Sequence, residues 1–110
     1  MSLDVYSETK SFPESEKYGL TSQLRRACCS VPTNIVEGCG RTGSKDFSRF
    51  LDIAMGSACE TEYLLLLSCE LGILAEMPYK SLNETILEVK RMLSSLSRSV
   101  RGNRNHRPTE

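Results

Sequence analysis

Five cysteines, two glutamates that could share a cleft, one histidine and a run of arginines are the side chains of this 110-residue chain best suited to chemistry. Cys28, Cys29, Cys39, Cys59 and Cys69 are either adjacent or ten or more residues apart, and no CxxC pair occurs. Zinc sites need ligands at short, recurring spacings, so this set does not read as a metal centre. The count is odd, and Met1-Ser2-Leu3-Asp4 lacks the basic start and apolar stretch of an export signal. The reading is therefore free thiols in a reducing compartment, the cytoplasm, acting as small core or surface residues. Nucleophilic catalysis wants a Cys or Ser with a base held beside it. The one histidine, His106, lies in a polar tail. Glu37 and Glu60 could do general acid–base work only across an open cleft, which tightly packed small bundles seldom leave. No P-loop or dinucleotide fingerprint is present. The inventory points to a protein that is not an enzyme, with no cofactor and no metal.

Charge offers a second kind of chemistry. Fourteen basic and fourteen acidic side chains cancel over the chain, but unevenly along it. Residues 46–76 carry a net −5 and residues 80–107 a net +5. Lys90, Arg91, Arg98, Arg101, Arg104 and Arg107 crowd the end of the last helical segment and the tail, which makes them candidates for a phosphate backbone. The same asymmetry also suits two neighbouring helices that attract each other, with the terminal arginines complementing a helix dipole.

The elements that must position these residues read as helices. Tyr79, Leu82, Ile86, Val89, Leu93, Leu96 and Val100 recur at alternating steps of three and four, one stripe of a bundle. Pro78, or Ser81 with Glu84, marks its start. Phe47, Leu51, Ala54, Ala58, Leu65 and Cys69 form a second stripe, with Thr61 or Glu62 between Ala58 and Leu65. Ser44 is its expected N-cap and Gly72 its stop. Phe50, Ile53, Leu64, Leu66 and Leu67 widen that face beyond one seam, so it should be covered on more than one side. A third stripe runs through Leu20, Leu24, Ala27, Val31, Ile35 and Gly38, with Thr21 as its expected N-cap. Pro32 interrupts it, at a cost of about 3 kcal/mol in a regular helix. Either one helix ends near Ser30 and another starts at Pro32, or one helix runs on with a kink; the unbroken phase of the stripe favours the kinked helix.

A helix of at most two turns fits residues 3–10, after which Phe12 can tuck into the core end. Isolated helices this short are marginal in water, so packing must hold it. Short connectors at 40–43 and 75–78 make consecutive helices antiparallel neighbours. The expected fold is all-α, an antiparallel up-and-down four-helix bundle over residues 1–101 with a short first helix, followed by a disordered basic tail, 102–110. The longest apolar run, 64–67, is far too short to span a membrane.

Phe12-Pro13, Leu20-Thr21-Ser22-Gln23-Leu24-Arg25-Arg26-Ala27, Ser30-Val31-Pro32-Thr33-Asn34-Ile35-Val36-Glu37-Gly38, Arg41, Phe50-Leu51, Ala54, Gly56-Ser57, Glu60 and Met92-Leu93 carry a resemblance. Over nearly its whole length the chain resembles the bacterial four-helix-bundle proteins often encoded in intervening sequences of 23S ribosomal RNA genes. It departs from them in its first helix, which in the family is longer by several turns and contains a Trp. The resemblance implies a homopentameric ring of four-helix subunits and no shared catalytic residues. It also implies a relation to the accessory protein of diversity-generating retroelements, a basic barrel that binds nucleic acid and a reverse transcriptase.

Read physically, the motif residues suggest packing. Gly56 and Ser57 are small enough for a neighbouring helix to approach closely. Asn34, Glu37, Glu60 and Arg26 could form one polar network where the second and third helices meet, a device that fixes register; the alternative is that Asn34, Glu37, Arg41 and Glu60 line a site. Two functional readings follow. One is a nucleic-acid-binding adaptor, acting on RNA or an RNA-handling protein through charge on a homo-oligomeric ring. The other is a self-assembling protein whose role is a protein contact or structure alone.

Overall fold

The computed structural model describes residues 1–105 and, of these, the side chains of residues 1–102. Four helices follow one another: α1 (Ser2–Thr9), α2 (Ser22–Cys39), α3 (Ser44–Glu70) and α4 (Glu76–Asn105). α3 packs between α2 and α4, and α1 lies against α2 and α4, completing a bundle 59 × 23 × 18 Å in extent. No strand occurs among the described residues. None of their helices is long and apolar enough to cross a membrane.

Each stripe faces the core, with shifts that have physical causes. On α3, Leu51, Ala54, Ala58, Thr61 and Leu65 are buried, and Thr61 fills the position left open between Ala58 and Leu65. Farther along, Ser68 rather than Cys69 is buried. The buried hydroxyls of Thr61 and Ser68 donate to the carbonyls of Ser57 and Leu64, at 2.8 and 2.7 Å, so neither is orphaned. On α4, Leu82, Ile86, Leu93 and Val100 are buried, but Leu96 is 38% exposed and Ser97 sits inside at 7%. A straight α-helix drifts by roughly 20° per heptad against a strict 3-4 repeat. By the end of α4 that drift has turned Leu96 outward.

α2 runs unbroken through Pro32. The side chains just after the proline reinforce the turn before it: Thr33 donates to the Cys29 carbonyl and Asn34 to the Ser30 carbonyl, both at 2.8 Å. Two expected caps are corrected. Thr21 is itself helical (φ −59°, ψ −49°) and makes no capping bond, because a 3-10 turn (Glu14–Glu16) and a π turn (Lys17–Thr21) feed the chain into α2 already wound. Ser44 is the first residue inside α3; Gly43 precedes it at φ 95°, a conformation open to glycine, as the connector reverses the chain. Gly72 does end α3. Its N–H reaches the Cys69 carbonyl and that of Ile73 reaches the Ser68 carbonyl, a Schellman closure around φ 77°. α4 begins at Glu76, ahead of both expected starts, with Pro78 in its first turn and Ser81 and Glu84 well inside. It continues four residues past the expected boundary at 101. The rest of the expected tail lies outside the described residues.

α1 has 8 residues against 27 and 30 in α3 and α4, about 12 Å of helix against about 40 and 45 Å. Val5 and Thr9 anchor it in the core, and Phe12 closes that end of the bundle. Arg25 of α2 holds it from outside, donating to Thr9 Oγ1 at 2.8 Å and stacking its guanidinium over Tyr6, 4.5 Å from the ring centroid. Beyond the N-terminal end of α1, the space between α2 and α4 is an open groove lined by Met1–Asp4, Cys28, Val31, Pro32, Ile35, Val89, Met92, Leu93 and Leu96.

Candidate nucleic-acid interface

Antiparallel packing brings the beginning of α3 and the end of α4 to the same end of the bundle. The contact between Arg101 Nη1 and Asp52 Oδ1, at 3.7 Å, marks that meeting. Arg41, in the connector just after α2, and Lys45 and Arg49, in the first turns of α3, project there as exposed side chains. Phe50 organises two of them. Its largely buried ring carries the Arg49 guanidinium at 4.6 Å and that of Arg41 at 5.1 Å, cation–π contacts that hold both groups at the surface. Arg41 also meets Glu37 at 3.4 Å, one turn back. Between them lies a shallow hollow of about 400 Å³ lined by Gly38, Cys39, Arg41, Gly43, Ser44, Phe47 and Val100.

The structure sorts the six expected phosphate-binding residues. Arg98 is exposed at this end and pairs with no acid among the described residues; Arg101 stands beside it, engaged with Asp52. Lys90 is not available in the same way. It sits mid-helix, with Nζ 2.6 Å from Glu62 Oε1 and both side chains about one-third exposed or less. That bond raises the ammonium above its ordinary pKa. Arg91 is exposed on mid-α4, far from the cluster. The Arg104 side chain, His106 and Arg107 lie outside the described residues. The sequence reading missed Lys45 and Arg49, and placed Arg41 with Asn34, Glu37 and Glu60 rather than with the basic end of α4. The spacing of four that joins Arg41, Lys45 and Arg49 is visible in the sequence, but only the pairing of α3's start with α4's end makes one patch of them.

The expected polar network resolves into separate contacts. Ser30 and Ser57 hydroxyls meet at 2.8 Å where α2 and α3 touch, and Asn34 Nδ2 donates to Ser30 Oγ at 2.9 Å. Arg26 and Glu60 make a long, exposed ion pair at 3.9 Å. Glu37 turns to Arg41. Close approach falls on a different glycine from the one expected. A Cβ on Gly38 would lie 2.8 Å from Phe47 Cδ1 and 3.0 Å from Phe50 Cβ, whereas one on Gly56 would meet nothing within 4 Å. Cys28 is buried, and burial pushes its thiol pKa up; Cys39 and Cys59 are exposed. No group of three or more metal-ligating side chains gathers among the described residues.

Comparisons with known proteins bear on this geometry. The profile of one protein family, 23S rRNA-intervening sequence protein, matches residues 1–95. A solved structure from Bacteroides thetaiotaomicron, described as a protein of unknown function from the S23 ribosomal protein family, is similar over 87% of each chain. The two are 27% identical, with a TM-score of 0.77. No match was found among the curated proteins.

Proposed function

This chain belongs to the 23S rRNA-intervening sequence protein family, and from that premise we propose that it is a non-enzymatic, self-assembling bundle protein that binds RNA as a homo-oligomeric ring. The observation that carries the binding half is the convergence of Arg41, Lys45, Arg49, Arg98 and Arg101 on one end of a subunit whose total charge is zero. Three acids stand among them, and Glu37 and Asp52 are already engaged with Arg41 and Arg101. Cyclic repetition, as a pentamer in the reading favoured here, multiplies such an end into a ring of positive charge. Phosphate backbones bind such surfaces chiefly by releasing counterions, with little reading of bases.

Exposed apolar side chains favour the assembly half. Leu3 and Met92 lie 86% and 62% exposed along one groove, and Ile53 and Tyr63 41% and 60% exposed along α3; exposed apolar side chains grouped in this way mark interaction surfaces. They also support a second reading, an oligomer that makes only protein contacts. The deciding experiment replaces Arg41, Lys45 and Arg49 with Ser and measures affinity for single-stranded RNA across a salt series. Binding should weaken for all sequences alike, and the salt slope should fall by about one per lost phosphate contact. If the wild type does not bind at low salt, or the variant binds as well, the nucleic-acid reading fails and the assembly-only reading stands.

A further inference from the structure

The hollow at the basic end has features that a patch of charge alone does not need. Its volume is about 400 Å³, within the roughly 300–1,000 Å³ of sites that hold small molecules. Gly38, Phe47 and Val100, from α2, α3 and α4, supply apolar walls, and Arg41 and Ser44 supply polar groups. Among the described residues its lining holds no acid. Three other concavities do carry acids: Asp4 in the groove beyond α1, Glu37 beside Pro32, and Asp4 with Glu8 between α1 and the start of α4. An anionic ligand with an apolar part is directed to this hollow and away from the others. Phe47 gives it a planar wall. The side chain is only half-buried, and its ring lies along α2 where Gly38 has none: a Cβ there would stand 2.8 Å from Phe47 Cδ1. The Arg41 guanidinium is a second plane, held over the Phe50 ring at 5.1 Å. Unpaired bases stack on aromatic rings and arginine planes, and every base has a face to offer.

We infer that this hollow receives an unpaired base, so that the basic end takes single-stranded rather than duplex RNA. The inference rests on the RNA-binding reading above and names the kind of RNA. Arg41 belongs to both parts, as a wall of the hollow and as the first of the exposed row Arg41, Lys45 and Arg49. A strand whose phosphates follow that row passes the mouth of the hollow. In a duplex the base faces are stacked and the edges paired, so no base enters without first being unstacked and unpaired. Stacking is tolerant of sequence, and the Ser44 hydroxyl at the rim can donate to one base edge or accept from another. The hollow therefore distinguishes unpaired from paired strands without selecting a particular base.

The test measures binding of the full chain to three probes: a short oligouridylate, an abasic ribose-phosphate chain of the same length, and an RNA duplex. The oligouridylate should bind about tenfold more tightly than the abasic chain, the order expected of one stacked base. It should also bind more tightly than the duplex, and the two single chains should share one salt slope, since they carry the same phosphates. Phe47→Leu removes the ring, and Cys39→Leu narrows the hollow from an exposed position outside the core. Each should remove most of the preference for bases and leave the salt slope as it was, with circular dichroism reporting helical content. Cys39→Leu decides the matter should Phe47→Leu lose helix. Oligouridylate and abasic chain binding alike, or a duplex binding best, overturns the inference and leaves the nucleic-acid reading standing. So does a preference that survives in both variants. If none of the three probes binds at low salt, both readings fall.

Discussion

Replacing Gly38 with alanine sets two opposing effects against each other, and the structure decides between them. Alanine gains helix propensity, about 1 kcal/mol in a helix interior and less this close to the end of α2. The new methyl group, however, would stand 2.8 Å from Phe47 Cδ1, 3.3 Å from Phe47 Cε1 and 3.0 Å from Phe50 Cβ. The half-buried Phe47 ring can swing outward. Phe50 Cβ is one bond from the α3 backbone, so it yields only if α3 itself moves, and α3 is held against α2 a few turns away by the Ser30–Ser57 hydrogen bond. Overpacking of this kind costs about 1–3 kcal/mol. The expected net is a loss of about 1–2 kcal/mol, or roughly 5–10 °C in melting temperature for a domain of this size. Urea denaturation followed by circular dichroism, at one fixed protein concentration so that association contributes equally, measures it. A Gly38→Ala protein as stable as the wild type, or more so, would refute the claim that this glycine sets the spacing of α2 and α3.

The Lys90–Glu62 bond predicts a pH signature. Its folded-state ammonium pKa is raised by Glu62, so the contribution is fully present below the unfolded lysine value of about 10.4 and is lost as pH rises through the folded value. Lys90→Met should therefore be less stable than wild type by about 0.5–1 kcal/mol at pH 8, with the gap shrinking toward pH 11; urea midpoints at the two pH values check this, and a gap that does not shrink contradicts it. Native alkylation followed by mass spectrometry should modify Cys39 early and Cys28 last, because Cys28 is 1% exposed and its thiol is pushed up by burial. Equal rates at the two positions would mean that α1 does not cover Cys28.

What was legible in the sequence was periodic and local. Four helices, the passage of α2 through Pro32 and the stop at Gly72 follow from spacing and from the special conformations of proline and glycine. Caps were less legible, because Thr21 and Ser44 have the right chemistry but not the backbone position; the π turn and the left-handed Gly43 decided that instead. Leu96 misled because a 3-4 pattern can be written longer than a straight helix can follow it. Gly38 was legible as a position on the packed stripe, but its tight approach to Phe47 and Phe50 was not, since a one-dimensional pattern does not tell which side of α3 faces α2. The basic end was half legible. Arg98 and Arg101 are close in sequence, but Arg41, Lys45 and Arg49 join them only once α4 has returned along α3.

The brevity of α1 has a consequence for motion. Eight residues, without a side-chain cap at the start or a basic residue in the last turn, are held mainly by Val5, Thr9 and the grip of Arg25. Such a segment belongs at the low end of the local-unfolding scale, and its amide protons should exchange through openings that leave α2, α3 and α4 intact. When it opens, the channel between α2 and α4 lengthens by the roughly 12 Å that α1 occupied. The first helix thus sets the length of that channel, and its own opening, rather than any rearrangement of α2, α3 or α4, changes it.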